Sequence, residues 1–193
     1  MEKDFDDIRP EIAARLTRAA KDRRSPMHTP SVVTSDIDAR IMVLREFDSA
    51  AWTLRFHTDT RAPKVAAIRN DPRMAVLFYD KGAKIQIRAS GIGRIESEGP
   101  VADRAWNAAS NFARRCYLGD GPGTRGDAPL SGLPPEFEGV EPTDEQIVPA
   151  RPNFAVLLFA IERIDWLYLA HTGHVRARFE RSGDEWTANW LSP

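Results

Sequence analysis

Residues 73–97 read RMAVLFYDKGAKIQIRASGIGRIES, and their period decides the fold class. The apolar run Met74–Tyr79 stops at a turn signal, Asp80–Gly82. From Lys84 to Ser97 the chain then alternates Ile85, Ile87 and Ala89 before Ile92 and Ile95. A period of two marks β-strands, and a short Asp/Gly turn between two such runs marks a hairpin. Gly91 and Gly93 inside the second run predict a bulge or a bend at a barrel corner.

The same pattern extends in both directions. Upstream, Val32–Val33, Ile41–Leu44 and Trp52–Phe56 are short apolar runs, separated by Ser35-Asp36, Asp48-Ser49 and Asp59-Thr60. Downstream, Phe154–Ile164, Trp166–Leu169, Val175–Phe179 and Trp186–Trp190 read as late strands. Helices are few. Residues 6–22 place Ile8, Ile12, Leu16, Ala19 and Ala20 on one face, with Pro10 in the tolerant first turn, and 23–30 is a linker. Pro63 to Pro72 reads as a two-turn helix with a sharp stop, and Pro100 to Cys116 as a third helix on which Cys116 is a packing residue. Residues 119–142 hold six Gly and five Pro, a long irregular loop reaching to about 149. Strands that follow one another without intervening helices exclude a doubly wound parallel sheet. They predict a mainly β (α+β) antiparallel barrel with peripheral helices, a single domain over 1–193 with 1–29 as an N-terminal helix and linker.

Composition narrows the function. With 27 basic and 28 acidic residues in 193, the net charge of −1 excludes a diffuse basic surface for nucleic acid. The apolar fraction of 42% excludes disorder, and a single cysteine excludes a disulfide framework. No apolar run approaches the ~20 residues of a membrane span, and the polar, acidic start is not a secretory signal. A cytoplasmic protein is expected. Of the basic residues 22 are Arg and 5 are Lys, a bias that fits either the genome's codon usage or a need for planar, bidentate donors.

Several motifs fail on context. Gly121-Pro122-Gly123-Thr124-Arg125-Gly126 matches GxGxxG but follows no strand and opens no helix. His171 and His174 lack a third ligand, so no metal site is expected, and Ser131 is not in a nucleophile elbow. The segment 40–64 carries more. Arg40 opens a strand whose apolar residues would fill a barrel, and a guanidinium there needs a partner. His57-Thr58-Asp59-Thr60-Arg61-Ala62-Pro63-Lys64 sets a hydroxyl, an Arg and a Lys around a turn that enters a helix, which makes a phosphate seat. Gln86 and Arg88 share one face of the next long strand, where Gln suits a ring bearing carbonyl and imide groups. Read alone, Arg61 and Lys64 also fit solvated surface charges, and Gln86 and Arg88 the polar outward face of a strand.

The order of these pieces resembles the pyridoxamine 5′-phosphate oxidase-like flavoproteins. The match runs through Arg-Ile-Met-Val-Leu-Arg (40–45), Phe-His-Thr-Asp (56–59), Arg-Ala-Pro-Lys (61–64), Asn-Asp-Pro (70–72) and Ile-Gln-Ile-Arg-x-x-Gly (85–91). It resumes from Ile164-Asp-Trp-Leu-Tyr-Leu through His174-Val-Arg-Ala-Arg-Phe to the final Trp-Leu-Ser-Pro. The resemblance implies an FMN-binding split β-barrel that works as a homodimer, with FMN at the subunit interface. It implies that Arg40 and Lys64 hold the FMN phosphate, that Thr58 and the backbone near His57 meet phosphate or ring, and that Ile41, Met42 and Val43 line the ring. Gln86 meets the ring edge, Arg88 or Arg178 places positive charge beside it, and Arg178 arrives from the late section. Arg45, His174 and Arg176 would contact a small-molecule substrate. No catalytic residue is assigned.

The chain also departs from that pattern. Ala62-Pro63-Lys64 stands where the oxidase has Ser-Arg-Lys, so Arg61 would replace the missing Arg and join residues 40 and 64 in a cationic notch. Arg45 stands for a strand lysine, and His174-Val175-Arg176 exchanges the Arg-x-His of the oxidase. Trp106 and Arg114 or Arg115 are the nearest matches to a Tyr and an Arg of the mid-chain helix, and the loop 119–142 has no counterpart. The function implied is an FMN-dependent oxidoreductase taking a hydride from a small molecule. The alternatives are a flavin reductase, a nicotinamide- or deazaflavin-linked oxidoreductase, or a non-catalytic FMN-binding protein on the same fold.

Overall fold

The fold, obtained as a computed structural model, describes residues 4–193. The chain divides into two compact units. The first comprises residues up to Phe56, Asp71–Gly93 and Leu158–Pro193; the second comprises His57–Asn70 and Arg94–Leu157.

The first unit carries an antiparallel sheet and one long helix. The helix α1 (Phe5–Lys21) is capped by Asp4, whose carboxylate accepts from the Asp7 amide at 2.9 Å. Ile8, Ile12, Leu16 and Ala19 are fully buried at intervals of four, four and three residues, on one helix face. Because α1 begins at Phe5, Pro10 lies in its second turn and not its first, where it removes one amide from the helical ladder. Phe5 stacks on Trp190 at 4.4 Å and meets Phe179 edge-on at 5.9 Å, which ties the helix to the last strands.

The strands are β1 (Ser31–Thr34), β2 (Ala39–Ile41), β3 (Glu46–Asp48), β4 (Thr53–Asp59), β5 (Arg73–Asp80), β6 (Ile85–Glu96), β7 (Phe154–Tyr168), β8 (Val175–Ser182) and β9 (Glu185–Leu191). Their order is β2-β1-β5-β6-β7-β4-β3, with β8 pairing β7 and β9. The ladder does not close on itself, so the expected antiparallel, mainly β sheet with helices is present as an open, α+β arrangement.

The hairpin β5–β6 sets the two faces. Met74, Val76 and Phe78 are buried and stand opposite Gly91, Ala89 and Ile87. The alternate positions pair Ala75 with Ser90, Leu77 with Arg88 and Tyr79 with Gln86. Polar Gln86 and Arg88 therefore share a face with the exposed Leu77 and Tyr79. Gly91 is explained by proximity and not by a bend: a Cβ there would lie 1.9 Å from the Ala160 carbonyl oxygen of β7.

Three sequence expectations change. The run Ile41–Leu44 is not a strand beyond Ile41: the Met42 and Leu44 amides still donate in the β1–β2 register to the carbonyls of Pro30 and His28 at 3.1 and 2.9 Å, but Pro30 has no amide to return a bond and the His28 amide donates to Ser25. Ile41 does not fill a barrel; it is 63% exposed. Phe154–Tyr168 is one continuous strand and not two.

In the second unit, α2 (Pro63–Asn70) forms as expected, but the third helix is interrupted. It consists of α3 (Gly99–Asn107) and α4 (Asn111–Arg114), because the Ser110 hydroxyl caps a new start by accepting from the Ala113 amide at 3.3 Å. Cys116 then sits exposed in a 3₁₀ turn, with its thiol donating to the Ala113 carbonyl at 3.2 Å, and so it is not a packing residue. The irregular loop ends earlier than 149, since Thr143 and Gln146 form a capping box that starts α5 (Asp144–Ile147).

Replacing Gly91 by Ala is expected to lower the unfolding free energy by about 1–3 kcal/mol through overpacking. Gly82→Ala, whose Cβ would meet only Asp80 Oδ1 at 3.4 Å, serves as the near-neutral control. Urea unfolding of both variants reads the difference, and equal midpoints would refute the close approach of β6 to β7.

Candidate functional site

In the first unit, charge gathers on one carboxylate. Asp165 stands on β7 directly opposite Arg178 of β8, and its side chain is only 8% exposed. Arg176, two residues along the same strand face, donates Nε to Oδ1 at 3.0 Å and its terminal nitrogen to Oδ2 at 2.8 Å. Arg88 reaches Oδ2 from β6 at 2.9 Å. Arg178 comes to 3.6 Å of the same oxygen, an ion pair too long for a hydrogen bond, and its Nε is buried without an acceptor. Burial pushes the Asp165 carboxyl up, but hydrogen bonds from Arg176 and Arg88 outweigh it and hold the group below its ordinary value. The carboxylate stays ionised at neutral pH against three guanidiniums.

This cluster lines a hollow of about 450 Å³. Arg88, Ser90, Arg163, Arg176 and Arg178 supply its polar wall, and Val33, Ala75 and Leu77 its apolar one. Arg163 donates to the Ser90 hydroxyl at 3.4 Å. The size and the mixture of walls suit a small-molecule ligand.

Other residues of the first unit named from the sequence are placed as follows. Arg40 on β2 has the partner it requires: it donates to the Thr34 hydroxyl at 2.9 Å and pairs with the Asp38 carboxylate. Met42 is buried and Val43 half-buried. Arg45 is exposed and its amide donates to the Arg55 carbonyl at 2.9 Å. Gln86 is half-buried beside Tyr79. His174 is exposed, next to Gly173, whose φ of 130° shapes the turn into β8.

The turn 57–64 belongs to the second unit. His57 meets the Phe154 ring edge-on at 5.0 Å, and the Thr58 side chain is buried. Asp59 is buried too, and Arg61 closes on it: the Arg61 amide, Nε and a terminal nitrogen reach its oxygens at 2.8, 2.9 and 2.7 Å. The other terminal nitrogen donates to the Gly119 carbonyl at 2.9 Å. Arg61 is thereby committed to neutralising Asp59 and to pinning the start of the Gly/Pro-rich loop, which leaves its fork turned inward. Lys64 lies in the first turn of α2, which contains no acidic residue, while the Asp59 carboxylate just before it takes the Arg61 amide. Lys64 and the amides of that helix end fit a phosphate group.

Asp165 is the residue that sequence reasoning missed. Its signal was an acid between the apolar Ile164 and Trp166, facing a strand with Arg at alternate positions 176 and 178.

Comparison with known proteins bears on the fold and the cofactor class. The pyridoxamine 5′-phosphate oxidase, FMN-binding domain family matches residues 9–97. No curated protein matches the chain. Among solved structures, a pyridoxamine 5′-phosphate oxidase-related, FMN-binding protein from Nostoc punctiforme PCC 73102 aligns with a TM-score of 0.73 at 25% identity, over 96% of each chain. PhzG from Burkholderia lata 383, in complex with tetrahydrophenazine-1-carboxylic acid, aligns with a TM-score of 0.68 at 17% identity, over 95% of this chain and 91% of that one. A general stress family protein from Xanthomonas campestris pv. campestris gives 0.53 at 14% identity, over 88% and 92%. These neighbours share the fold, and among the described residues no helix is long and apolar enough to cross a membrane. Residues 9–97 thus match the FMN-binding domain of the pyridoxamine 5′-phosphate oxidase family, and the chain shares the split-barrel fold of its related, FMN-binding neighbour.

Proposed function

We propose that the protein is a homodimeric, cytoplasmic FMN-dependent oxidoreductase that oxidises a small molecule. The observation that carries this reading is the turn into α2, where buried Thr58 and Lys64 meet a helix start free of acidic side chains, inside an FMN-binding domain. The lone, exposed Cys116 supports a reducing compartment, since an oxidising one would leave it a reactive thiol.

FMN, when bound, supplies the two-electron chemistry by accepting a hydride. The chain's own residues then have separate tasks. Lys64, with Arg40 as the other contact implied by the family resemblance, binds the phosphate, each through a charge-assisted contact. Gln86 both donates and accepts, so it orients a ring edge carrying carbonyl and imide groups. Arg88, next along the same face of β6, places positive charge beside that edge and favours negative charge developing there. The Ile41–Val43 backbone lines the ring. Arg45, His174 and Arg176 position the substrate. Oriented binding alone suffices for hydride removal from an amine carbon, and no general base is assigned.

Absorbance and mass analysis of the ligand carried through purification tests the reading. A flavin spectrum with oxygen uptake on pyridoxine 5′-phosphate, or turnover with a reduced nicotinamide, supports an oxidoreductase. A yellow protein inert to both would indicate a binding protein, and a colourless protein that takes up no FMN would refute the reading.

Lys64→Ala and Arg40→Ala are each expected to weaken FMN binding by about 1.5–3 kcal/mol, measured by quenching of flavin fluorescence. Asp165→Asn is expected to lower stability at neutral pH. The wild type's advantage is fully present above the unfolded carboxylate value of about 4 and disappears as pH falls through the lowered native value. Thermal melts of both proteins between neutral and acid pH read this convergence, and a gap that widens in acid would contradict it.

A further inference from the structure

The Gly/Pro-rich loop of the second unit lies against the phosphate seat. Its run Gly121-Pro122-Gly123-Thr124-Arg125-Gly126 is no dinucleotide loop, yet its start is laid on the turn that enters α2. The Gly119 carbonyl accepts from Arg61 at 2.9 Å. A Cβ on Gly121 would lie 3.3 Å from the Arg61 Cβ, and one on Gly123 would lie 3.7 Å from the ring of Pro63, the first residue of α2. The chain therefore touches this turn with bare backbone, which glycine permits. Gly123 has a φ of 91°, and the Thr124 amide and hydroxyl close the bend on the Gly121 carbonyl at 3.1 and 2.7 Å.

Burial and anchoring make this segment a moving part. Thr58 is only 4% exposed, and its hydroxyl makes a long bond of 3.4 Å to the neighbouring Asp59 carbonyl. A phosphate arriving from solvent reaches that hydroxyl only after something in front of it moves. Ala62 and Val65 are buried, so the turn and α2 are fixed by packing. Residues 122–131 are all exposed, and a hydrogen bond with two van der Waals contacts is a weak hold. Arg61 joins the fixed part to the mobile one. Its Nε and one terminal nitrogen are clasped by Asp59, and its other terminal nitrogen reaches out to Gly119. The hydrogen bonds to Asp59 hold the guanidinium above its ordinary pKa, and the charge of Asp120, inside the segment, adds to them.

We propose that residues 119–123 are a strap that gates the phosphate seat at the start of α2, opening to admit and release a phosphomonoester, and that Arg61 is the positioning residue that latches it. The ligand is named from the proposed function, on which this inference rests, whereas the latch stands on the contacts of Arg61 and Pro63.

Stopped-flow fluorescence of the full chain, stripped of flavin and mixed with FMN, gives the association rate. Release is read by trapping freed FMN with an excess of another apoflavoprotein. A gate slows entry and exit alike, so loosening it raises both rates and leaves Kd in place, whereas loss of a phosphate ligand raises Kd. Gly123→Ala strains the bend without removing a charge, and it is expected to raise both rates about tenfold with Kd kept within about twofold. Arg61→Gln combined with Asp59→Asn, which leaves no buried charge unpaired, is expected to do the same. Gly123→Ala retains every hydrogen-bonding side chain, so it decides the matter where the double variant does not fold. Tight FMN binding with both rates unchanged in Gly123→Ala overturns the gate and leaves the FMN reading intact. A raised Kd at an unchanged association rate also overturns it, because the segment would then be a ligand. A response of Gly123→Ala without one in a folded double variant removes Arg61 as the latch. A wild-type chain that binds no FMN refutes the FMN reading and the gate together.

Discussion

A single buried carboxylate organises the charged face of the first unit. Asp165 fixes arginines from two strands, Arg88 on β6 and Arg176 on β8, and holds a third, Arg178, at ion-pair distance. Such a cluster is a poor device for stability, since well-packed apolar residues of similar volume often do as well or better. Its consequence is chemical. Three guanidiniums on one anion leave a net positive charge in a hollow partly walled from water, and electrostatic interactions there are stronger than on an open surface. The arrangement is set before any ligand arrives, which reduces the ordering cost of binding.

The fold was legible in the sequence wherever burial alternates with side-chain direction. The pairing of Val76 with Ala89 and Phe78 with Ile87 is what the period of two in 73–97 implies, and the same alternation put Gln86 and Arg88 on one face. Legibility failed where backbone hydrogen bonds, not side chains, decide the path. Residues 42–44 are as apolar as a strand and the Met42 and Leu44 amides keep the β1–β2 register, yet the linker returns no bond, since Pro30 has no amide and the His28 amide donates to Ser25. Gly91 was visible as a special position, but a bend and a close approach leave the same mark in a sequence. Only the position of β7 distinguishes them, since a Cβ added at Gly91 would lie 1.9 Å from the Ala160 carbonyl oxygen.

Charged residues were harder to read because a sequence shows a charge but not its partner. Arg61 has the composition of a phosphate ligand, and the turn around it has the right hydroxyl and helix start. Its fork nevertheless closes on Asp59 two residues away and on the Gly119 carbonyl. An Asp at that spacing lets the guanidinium fold back across a turn, a geometry that linear spacing alone does not reveal. The consequence reaches the Gly/Pro-rich loop. A Cβ on Gly119 would meet the Gly132 carbonyl oxygen at 1.8 Å, so the residue that Arg61 grips also has to be glycine.

Both cases bear on the excess of arginine over lysine. Asp165 is held by Arg176 and Asp59 by Arg61 through two nitrogens of one planar group. An ammonium carries its three donors on one atom and cannot span a carboxylate at one edge and a carbonyl at another, as the Arg61 guanidinium does with Gly119 and the Arg176 guanidinium does with Ser192. Substituting lysine at either position would keep the charge and lose the clasp. At these positions the geometry itself demands the fork. The compositional bias that looked neutral in the sequence thus has a structural component, concentrated where a buried acid must be held and turned.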